Sequence, residues 1–261
     1  KITVIKYGGS ILSEDRIRKG VLEDIVFLSY MGLRPVLVHG GGPNISDRMR
    51  KAGKKTAFVD GMRITDKETL KIVEEELETL NKNIVAEIEN LGGKAKSFSA
   101  QTTSILNVIK KKSKVDLGFV GKMVGMEAQE IAKDVASNII PVISPMGKDA
   151  KGIIYNVNAD EVAYFVAISL RAIKFVLLTN VRGVMRNTDD TNSLLSTVKE
   201  SEAKQLIKDK VIQEGMIPKI QACFGAIDGG VQKAHIVDAR IPHALLLEIF
   251  TNKGIGTEIL Q

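Results

Sequence analysis

Two short strand patterns that each run straight into glycine constrain this chain more than any other feature of it. Lys1 to Lys6 alternates as a strand does and meets Gly8-Gly9, and Pro35 to His39 is a brief apolar run that closes on Gly40-Gly41-Gly42. Between them, residues 16–31 carry Ile17, Val21, Ile25, Val26 and Leu28 at helical spacing. A strand, a helix and a second strand make a parallel crossover unit. Such a unit places both glycine turns at the carboxyl edge of the sheet, where open α/β folds bind ligands. Three glycines in a row weaken a chain unless its backbone must take unusual angles or touch something, so the second turn reads as a ligand contact. The plainer reading is a tight strand-to-helix turn, with Pro43 opening the next helix. His39 reads as a satisfied turn residue rather than a ligand.

The same alternation continues downstream. Thr65 to Leu91 has a helical apolar face, with Thr65 or Asp66 as its cap. Ser104 to Ile109 and Val115 to Val120 flank a basic cluster, Lys110, Lys111, Lys112 and Lys114, and are expected to pair as an antiparallel ribbon with a solvated tip. Asn138 to Ser144 and Lys174 to Thr179 read as buried strands, and Ala159 to Leu170 as a helix opened by Asn158. Residues 186–196 are polar and expected to form a mobile loop. The last third adds helices near 199–207, 215–227 and 242–250 and a strand near 232–237. The expected fold class is α/β: a mostly parallel open sheet sandwiched between helices. Two lobes, 1–170 and 171–261, are expected to share that one sheet.

Composition narrows the function. No apolar run in the 261 residues approaches the ~18 that a membrane span requires, and nothing near Lys1 resembles a signal peptide, so a cytoplasmic protein is expected. Cys223 is the one cysteine, which excludes an intrachain disulfide and a cysteine-based zinc site. A net charge of +6 suits either nucleic acid or an anionic small molecule; 5% aromatic residues and no Trp leave few platforms for stacking bases, so no nucleic-acid partner is expected.

The chemistry-bearing residues converge on phosphate. Lys6 ends the first strand beside glycines whose backbone N–H groups can approach an anion closely. Lys219 follows Pro218 in the first turn of a helix, where the dipole favours anions. Phosphoryl transfer needs this kind of positive charge and amide donors around a group held in line between two oxygens. In Asn156-Val157-Asn158-Ala159-Asp160 two amides and a carboxylate alternate toward one side, and Asp160 could anchor lysine ammonium groups; the alternative for Asn158 is helix capping. Arg63, just before a helix, offers a fork to a carboxylate, or else a surface ion pair. The chain has no GxxxxGK[ST], HExxH or GxSxG pattern, and His39, His235 and His243 are too scattered for a metal site.

Taken together, KYGGS at 6–10, VHGGGP at 38–43, DGMRITD at 60–66, DLGFVGKM at 116–123, NVNAD at 156–160, LLTNVRGV at 177–184, GMIPK at 215–219 and the segment 233–259 resemble the amino acid kinase family over nearly the whole chain. Within it, the likeness is to the members that use ATP to phosphorylate the side-chain carboxylate of N-acetyl-L-glutamate in arginine biosynthesis. That resemblance implies that Lys6 and Lys219 stabilise the transferring phosphoryl group and that Asp160 orients them. It implies that Gly8, Gly9, Gly41 and Gly42 donate backbone N–H groups, Gly9 and Gly41 at the reacting centre, and that Arg63 and Asn156, with Gly41 and Gly42, hold the acceptor. Gly8, Gly9, Ser10, Thr179, Asn180, Val181, Gly183, Val184, Met216 and Lys219, with the 210–216 loop, would form the nucleotide site. Mg²⁺ would bridge the β- and γ-phosphates through ATP and water, with no protein-held metal. A carboxylate acceptor is already an ionised nucleophile, so no general base is needed. The chain departs from the family where Phe98 to Ser104 replaces a glycine- and acid-containing stretch and where Asn180 stands in place of a common aspartate. The family's arginine-inhibited hexamers carry an extra N-terminal helix, so a homodimer without arginine feedback is expected. The rival readings are a related kinase acting on carrier-protein-linked aminoadipate or glutamate, docked through the Lys110 to Lys114 cluster, and a regulatory partner without turnover.

Overall fold

One eight-stranded sheet carries the chain's architecture in the computed structural model, which describes residues 1–8, 11, 14–187, 189–212, 215–251 and 254–261. In chain order the first elements are β1 (Ile2–Tyr7), α1 (Asp15–Tyr30), β2 (Arg34–His39), α2 (Gly42–Lys51), β3 (Phe58–Val59), β4 (Met62–Arg63) and α3 (Lys67–Asn90). There follow β5 (Ala95–Phe98), β6 (Leu106–Lys110), β7 (Gly121–Met126), α4 (Ala128–Ala136), β8 (Ile140–Ile143), β9 (Met146–Lys148) and β10 (Ile154–Asn156). The chain ends with α5 (Ala159–Ser169), β11 (Lys174–Thr179), β12 (Thr197–Lys199), α6 (Glu200–Lys208), α7 (Ile217–Asp228), β13 (Lys233–Asp238), α8 (Ala244–Phe250) and β14 (Thr257–Leu260).

The large sheet runs β12-β14-β13-β11-β1-β2-β8-β5, and every neighbouring pair in it is parallel except β13 and β14. Strands from residues 1–170 fill one half of this order and strands from 171–261 the other, meeting where β1 pairs with β11. Connections leave β1 toward β2 on one side while β11 lies on the other, so the crevice of the doubly wound sheet opens above β1. A second sheet, β10-β9-β6-β7, and the small β3-β4 hairpin are built from residues of the 1–170 half.

Alternation along the central strands sorts side chains between two cores. Val4, Val36, Val38, Phe175 and Leu177 join α4, α5, α6 and α7 on one face, while Ile5, Tyr7, Leu37, Val176 and Leu178 join α1, α3 and α8 on the other. Lys6, next to Val4 in the period of two, therefore faces α5. Helix starts follow their caps: Asp66 accepts from Thr69 N at 2.7 Å, and Asn158 accepts from Asp160 N at 2.8 Å and Glu161 N at 3.2 Å. Asn158 is thus a cap, and Pro43 lies in the first turn of α2.

One expected ribbon is displaced. β6 pairs with β7, six residues beyond the expected Val115 to Val120 strand, which instead forms the connection. The reason is a competing attachment: Gly118 turns at φ +71°, and Leu117 O and Phe119 N take the backbone of Thr65 at 2.9 and 2.7 Å. Lys110 and Lys111 are neutralised by Asp116 (3.0 Å) and Glu161 (3.3 Å), while Lys112 and Lys114 are solvated. In the polar 186–196 segment, Arg186 N donates to Ser193 O at 3.0 Å and Met185 bridges to Leu194, so its described residues fold back on themselves.

A side chain at Gly118 would collide with the Thr65 carbonyl and require the left-handed backbone. Gly118→Ala is expected to cost roughly 2–3 kcal/mol of stability, the scale of a strained special-φ position, read from the urea unfolding midpoint. An unchanged midpoint would show that this connection does not hold the 63–65 segment in place.

Candidate active site

Parallel pairing brings the two glycine turns together. Tyr7 pairs with His39, Gly40 N donates to Tyr7 O at 2.8 Å, and a Cβ on Gly8 would lie 3.4 Å from Gly40 Cα. The same Cβ would lie 2.9 Å from Lys6 Nζ, so glycine at position 8 leaves the room that the Lys6 ammonium occupies. At Gly41 a Cβ would press to 2.8 Å from Leu77 Cδ2. Both absences let backbone stand where side chains would otherwise shield it. Gly9 and Ser10, expected at this edge, lie outside the described residues.

The centre of the site is Asp160, in the first turn of α5 and 6% exposed. Its Oδ1 lies 2.9 Å from Lys6 Nζ, and its Oδ2 accepts from Lys219 Nζ at 3.0 Å. Lys219 comes from the first turn of α7, just after Pro218, and α7 packs along α5. Burial works to raise the pKa of Asp160, but the two ammonium groups outweigh it and hold the carboxyl at about 2. Burial lowers the pKa of Lys6; Asp160 opposes that and Lys219 adds to it. Two cations are thereby held close together around one anion.

Two clefts flank this trio. The first, about 210 Å³, is lined by Lys6, Gly40, Gly41, Gly42, Arg63, Asn156 and Asp160, with apolar walls that include Phe58, Leu77 and Val120. The second, about 480 Å³, is lined by Asn180, Val181, Gly183, Val184, Met216 and Lys219, joined by Arg182, Val211, Ile212 and Arg240. Lys6 and Asp160 face the first cleft and Lys219 the second, so the ion contacts span the boundary between them.

Arg63 is 6% exposed and donates to Gly42 O (3.0 Å), Ser46 Oγ (2.7 Å) and Met49 Sδ (3.2 Å), with its guanidinium 4.7 Å from the Phe58 ring centre. No carboxylate pairs with it among the described residues, and burial lowers its pKa. A buried guanidinium without an anion is a ready partner for an incoming carboxylate. Asn156 Nδ2 lies 3.4 Å from Thr65 Oγ1, which itself donates to Arg63 O at 2.8 Å, so Thr65 ties both cleft residues to the Gly118 turn.

On the other side, Thr179 Oγ1 donates to Val181 O at 2.8 Å and accepts from Val181 N at 3.2 Å, shaping the turn from within rather than lining the cleft. Gly183 and Val184 are fixed by β14, where Thr257 Oγ1 accepts from Val184 N at 2.9 Å. Sequence reasoning missed Arg240, whose guanidinium grips buried Asp238 through Nε (2.9 Å) and Nη2 (2.8 Å). The signal was present: an acid at a strand's carboxyl end with an arginine two residues on. Gln213 and Glu214 of the expected 210–216 loop lie outside the described residues.

Among the described residues no group of three acidic, histidine or cysteine side chains is placed to hold a metal, and both Asp160 oxygens are engaged by lysines. The donor set does not fit a protein-held ion. No described helix is long and apolar enough to cross a membrane.

The fold and site together define an α/β protein whose central crevice concentrates cations and backbone donors between a smaller and a larger cleft. The profile of the Amino acid kinase family matches residues 1–238, and the chain belongs to that family. It is 43% identical to the acetylglutamate kinase of Desulforamulus reducens over 263 residues, covering 100% of this chain and 92% of that protein. It is 46% identical to the acetylglutamate kinase of Petrotoga mobilis, covering 100% of this chain and 87% of that one. Among solved structures, N-acetylglutamate synthase from Neisseria gonorrhoeae, complexed with coenzyme A and N-acetyl-glutamate, superposes with a TM-score of 0.88 at 25% identity. The alignment takes in 100% of this chain, which spans 59% of that synthase's length.

The ion trio makes a prediction about acid stability. The folded pKa of Asp160, about 2, lies below its ordinary 3.8, so its stabilising contribution is complete above pH 3.8 and is lost as pH falls through about 2. The unfolding midpoint of the wild type is expected to fall across that window by a component that Asp160→Asn lacks. Equal acid slopes in the two proteins would contradict the assignment.

Proposed function

We propose that this protein transfers the γ-phosphoryl group of ATP to the side-chain carboxylate of N-acetyl-L-glutamate, forming N-acetylglutamyl 5-phosphate in arginine biosynthesis. The observation that carries this reading is the Lys6–Asp160–Lys219 bridge between two clefts, one of which holds a buried guanidinium with no carboxylate partner among the described residues. The relatives named acetylglutamate kinase, alike over the full chain, support the choice of acceptor.

In this reading the half formed by 1–170 binds the acceptor and supplies the homodimer contact, and the half formed by 171–261 binds the nucleotide. ATP enters the cleft lined by Asn180 to Val184 and Met216, and magnesium arrives as part of the nucleotide substrate, bound to its phosphates. Arg63, with Asn156, takes the acceptor's α-carboxylate. The side-chain carboxylate oxygen attacks the γ-phosphorus, the bond to the β–γ bridging oxygen breaks, and ADP leaves with that electron pair. No proton moves, which agrees with the lack of a base near the trio among the described residues. Lys6 and Lys219 meet the charge on the equatorial and leaving oxygens, and the Gly41 N–H, which no described residue accepts, adds a donor. Asp160 holds the two lysines close together and opposes the effect of burial on Lys6. The enzyme is expected to work in the cytoplasm.

A carrier-protein acceptor would need a basic docking surface, and of the four lysines expected to supply it Lys110 and Lys111 are already paired with Asp116 and Glu161, which leaves Lys112 and Lys114 solvated. That observation favours the free amino acid derivative.

Acyl phosphate trapped as hydroxamate is expected with N-acetyl-L-glutamate and ATP, and not with aspartate or aminoadipate at the same millimolar level; no product from N-acetyl-L-glutamate would sink the reading. Lys219→Ala is expected to lower kcat by roughly 10²-fold or more, the scale of losing a transition-state charge donor, and a change confined to the nucleotide KM would refute that role. Arg63→Lys is expected to raise chiefly the acceptor KM, because an ammonium cannot reproduce the fork; an unchanged acceptor KM would count against Arg63 as the carboxylate clamp.

A further inference from the structure

His39 is fully buried, lies outside both clefts, and has both ring nitrogens engaged. It stands on the α3 face of the sheet, two residues after Leu37, opposite to the face that carries Val38 and Lys6. A chain of contacts decides its protonation. Val142 O can only accept, and it lies 3.0 Å from Asn81 Nδ2, so that atom is the amide nitrogen rather than the oxygen. The second hydrogen of the same Nδ2 faces His39 Nε2 at 3.0 Å, so Nε2 is the acceptor and carries no proton. The ring proton therefore sits on Nδ1, which donates to Gly40 O at 3.0 Å. Burial agrees with a neutral ring, holding the His39 pKa down at about 4.

The consequence lies on the far side of the peptide plane. The bond between Gly40 and Gly41 is trans, so its C=O and N–H point in opposite directions. With the Gly40 carbonyl drawn toward His39 beneath the sheet edge, the Gly41 N–H is turned the other way, to the cleft that Gly41 lines with Lys6 and Asp160. No described residue accepts that N–H. Two glycines in succession can rotate their shared peptide with little resistance, so some other group must fix its plane.

We infer that His39, held in its Nδ1–H tautomer by Asn81, is a positioning residue that fixes the Gly40–Gly41 peptide and thereby aims the Gly41 N–H at the transferring phosphoryl group. The inference rests on the phosphotransfer reading for what the N–H meets, and on the geometry alone for how it is aimed. The side-chain amide nitrogen of asparagine falls near the place of Nδ1, and the amide oxygen of glutamine can accept at the place of Nε2. His39→Asn thus keeps the donor to Gly40 O, and His39→Gln keeps only the link to Asn81.

The test has two arms. In the wild type, labelled with ¹⁵N-histidine, the His39 resonance among the chain's three histidines is expected to report a neutral Nδ1–H ring; an Nε2–H ring overturns the inference, whether or not any variant folds. In steady-state kinetics, His39→Gln is expected to lose kcat by about 10²-fold with both KM values little changed, the scale of a misplaced oxyanion donor, while His39→Asn stays within about tenfold of the wild type. A merely structural role makes the smaller asparagine, which leaves Asn81 without its acceptor, at least as damaging as glutamine; that order, or losses of kcat that track the loss of melting temperature, overturns the inference. Failure of the wild type to phosphorylate any acceptor would instead defeat the phosphotransfer reading, and the resonance would still decide the aim of the peptide.

Discussion

Everything at this sheet edge depends on one buried carboxylate shared by two ammonium groups. Asp160 places a single negative charge between Lys6 and Lys219 at 2.9 and 3.0 Å, and without it two like charges would face each other in a poorly solvated site. Burial pulls the Lys6 pKa down, and Asp160 opposes that. Removing one partner of such a buried cluster typically costs about 3–5 kcal/mol, because an uncompensated charge is left behind. The cluster is a poor source of net stability and a good way to hold two cations where a polyanion will arrive.

The sheet makes this arrangement. Parallel pairing sets Lys6 beside Leu177 and Val38, so the carboxyl ends of β11, β1 and β2 reach the same edge together. Helix α5 packs against β1 and presents Asp160 in its first turn, where the helix dipole favours a carboxylate, and α7 lies against α5 and presents Lys219 in its own first turn. Glycine at positions 8 and 41 leaves space for an ammonium on one side and for bare backbone on the other. The buried polar links behind the edge, from Val142 through Asn81 and His39 to Gly40, then give that backbone a fixed direction.

Much of this is legible in the sequence. The βαβ start, the helix opened by Asn158 and the strand Lys174–Thr179 follow from local patterns that tertiary packing did not override. Lys6, Asp160 and Lys219 could be proposed as a group because each sits at a strand or helix end that parallel topology must bring to one edge. Other parts were not legible because their cause is long-range. The 115–120 segment alternates as a strand does, yet its partner is Thr65, some fifty residues earlier in the chain. The short strands β9, β10, β12 and β14 lie in stretches too brief for any period to register, and β12 and β14 become strands by joining the edge next to β13. His39 read as a turn residue because its partner Asn81 lies in α3, forty-two residues further along the chain, and nothing local marks the pair.

The account's central claim is that the three charges form one phosphoryl site between two clefts, and its most direct test is a structure with a non-hydrolysable ATP analogue, magnesium and N-acetyl-L-glutamate bound together. The γ-phosphoryl group is expected within hydrogen-bonding distance of both Lys6 Nζ and Lys219 Nζ, with the acceptor's α-carboxylate on Arg63 and its side-chain carboxylate in line with the γ-phosphorus. Phosphates bound away from either lysine, or an acceptor that leaves Arg63 without an anion, would contradict it.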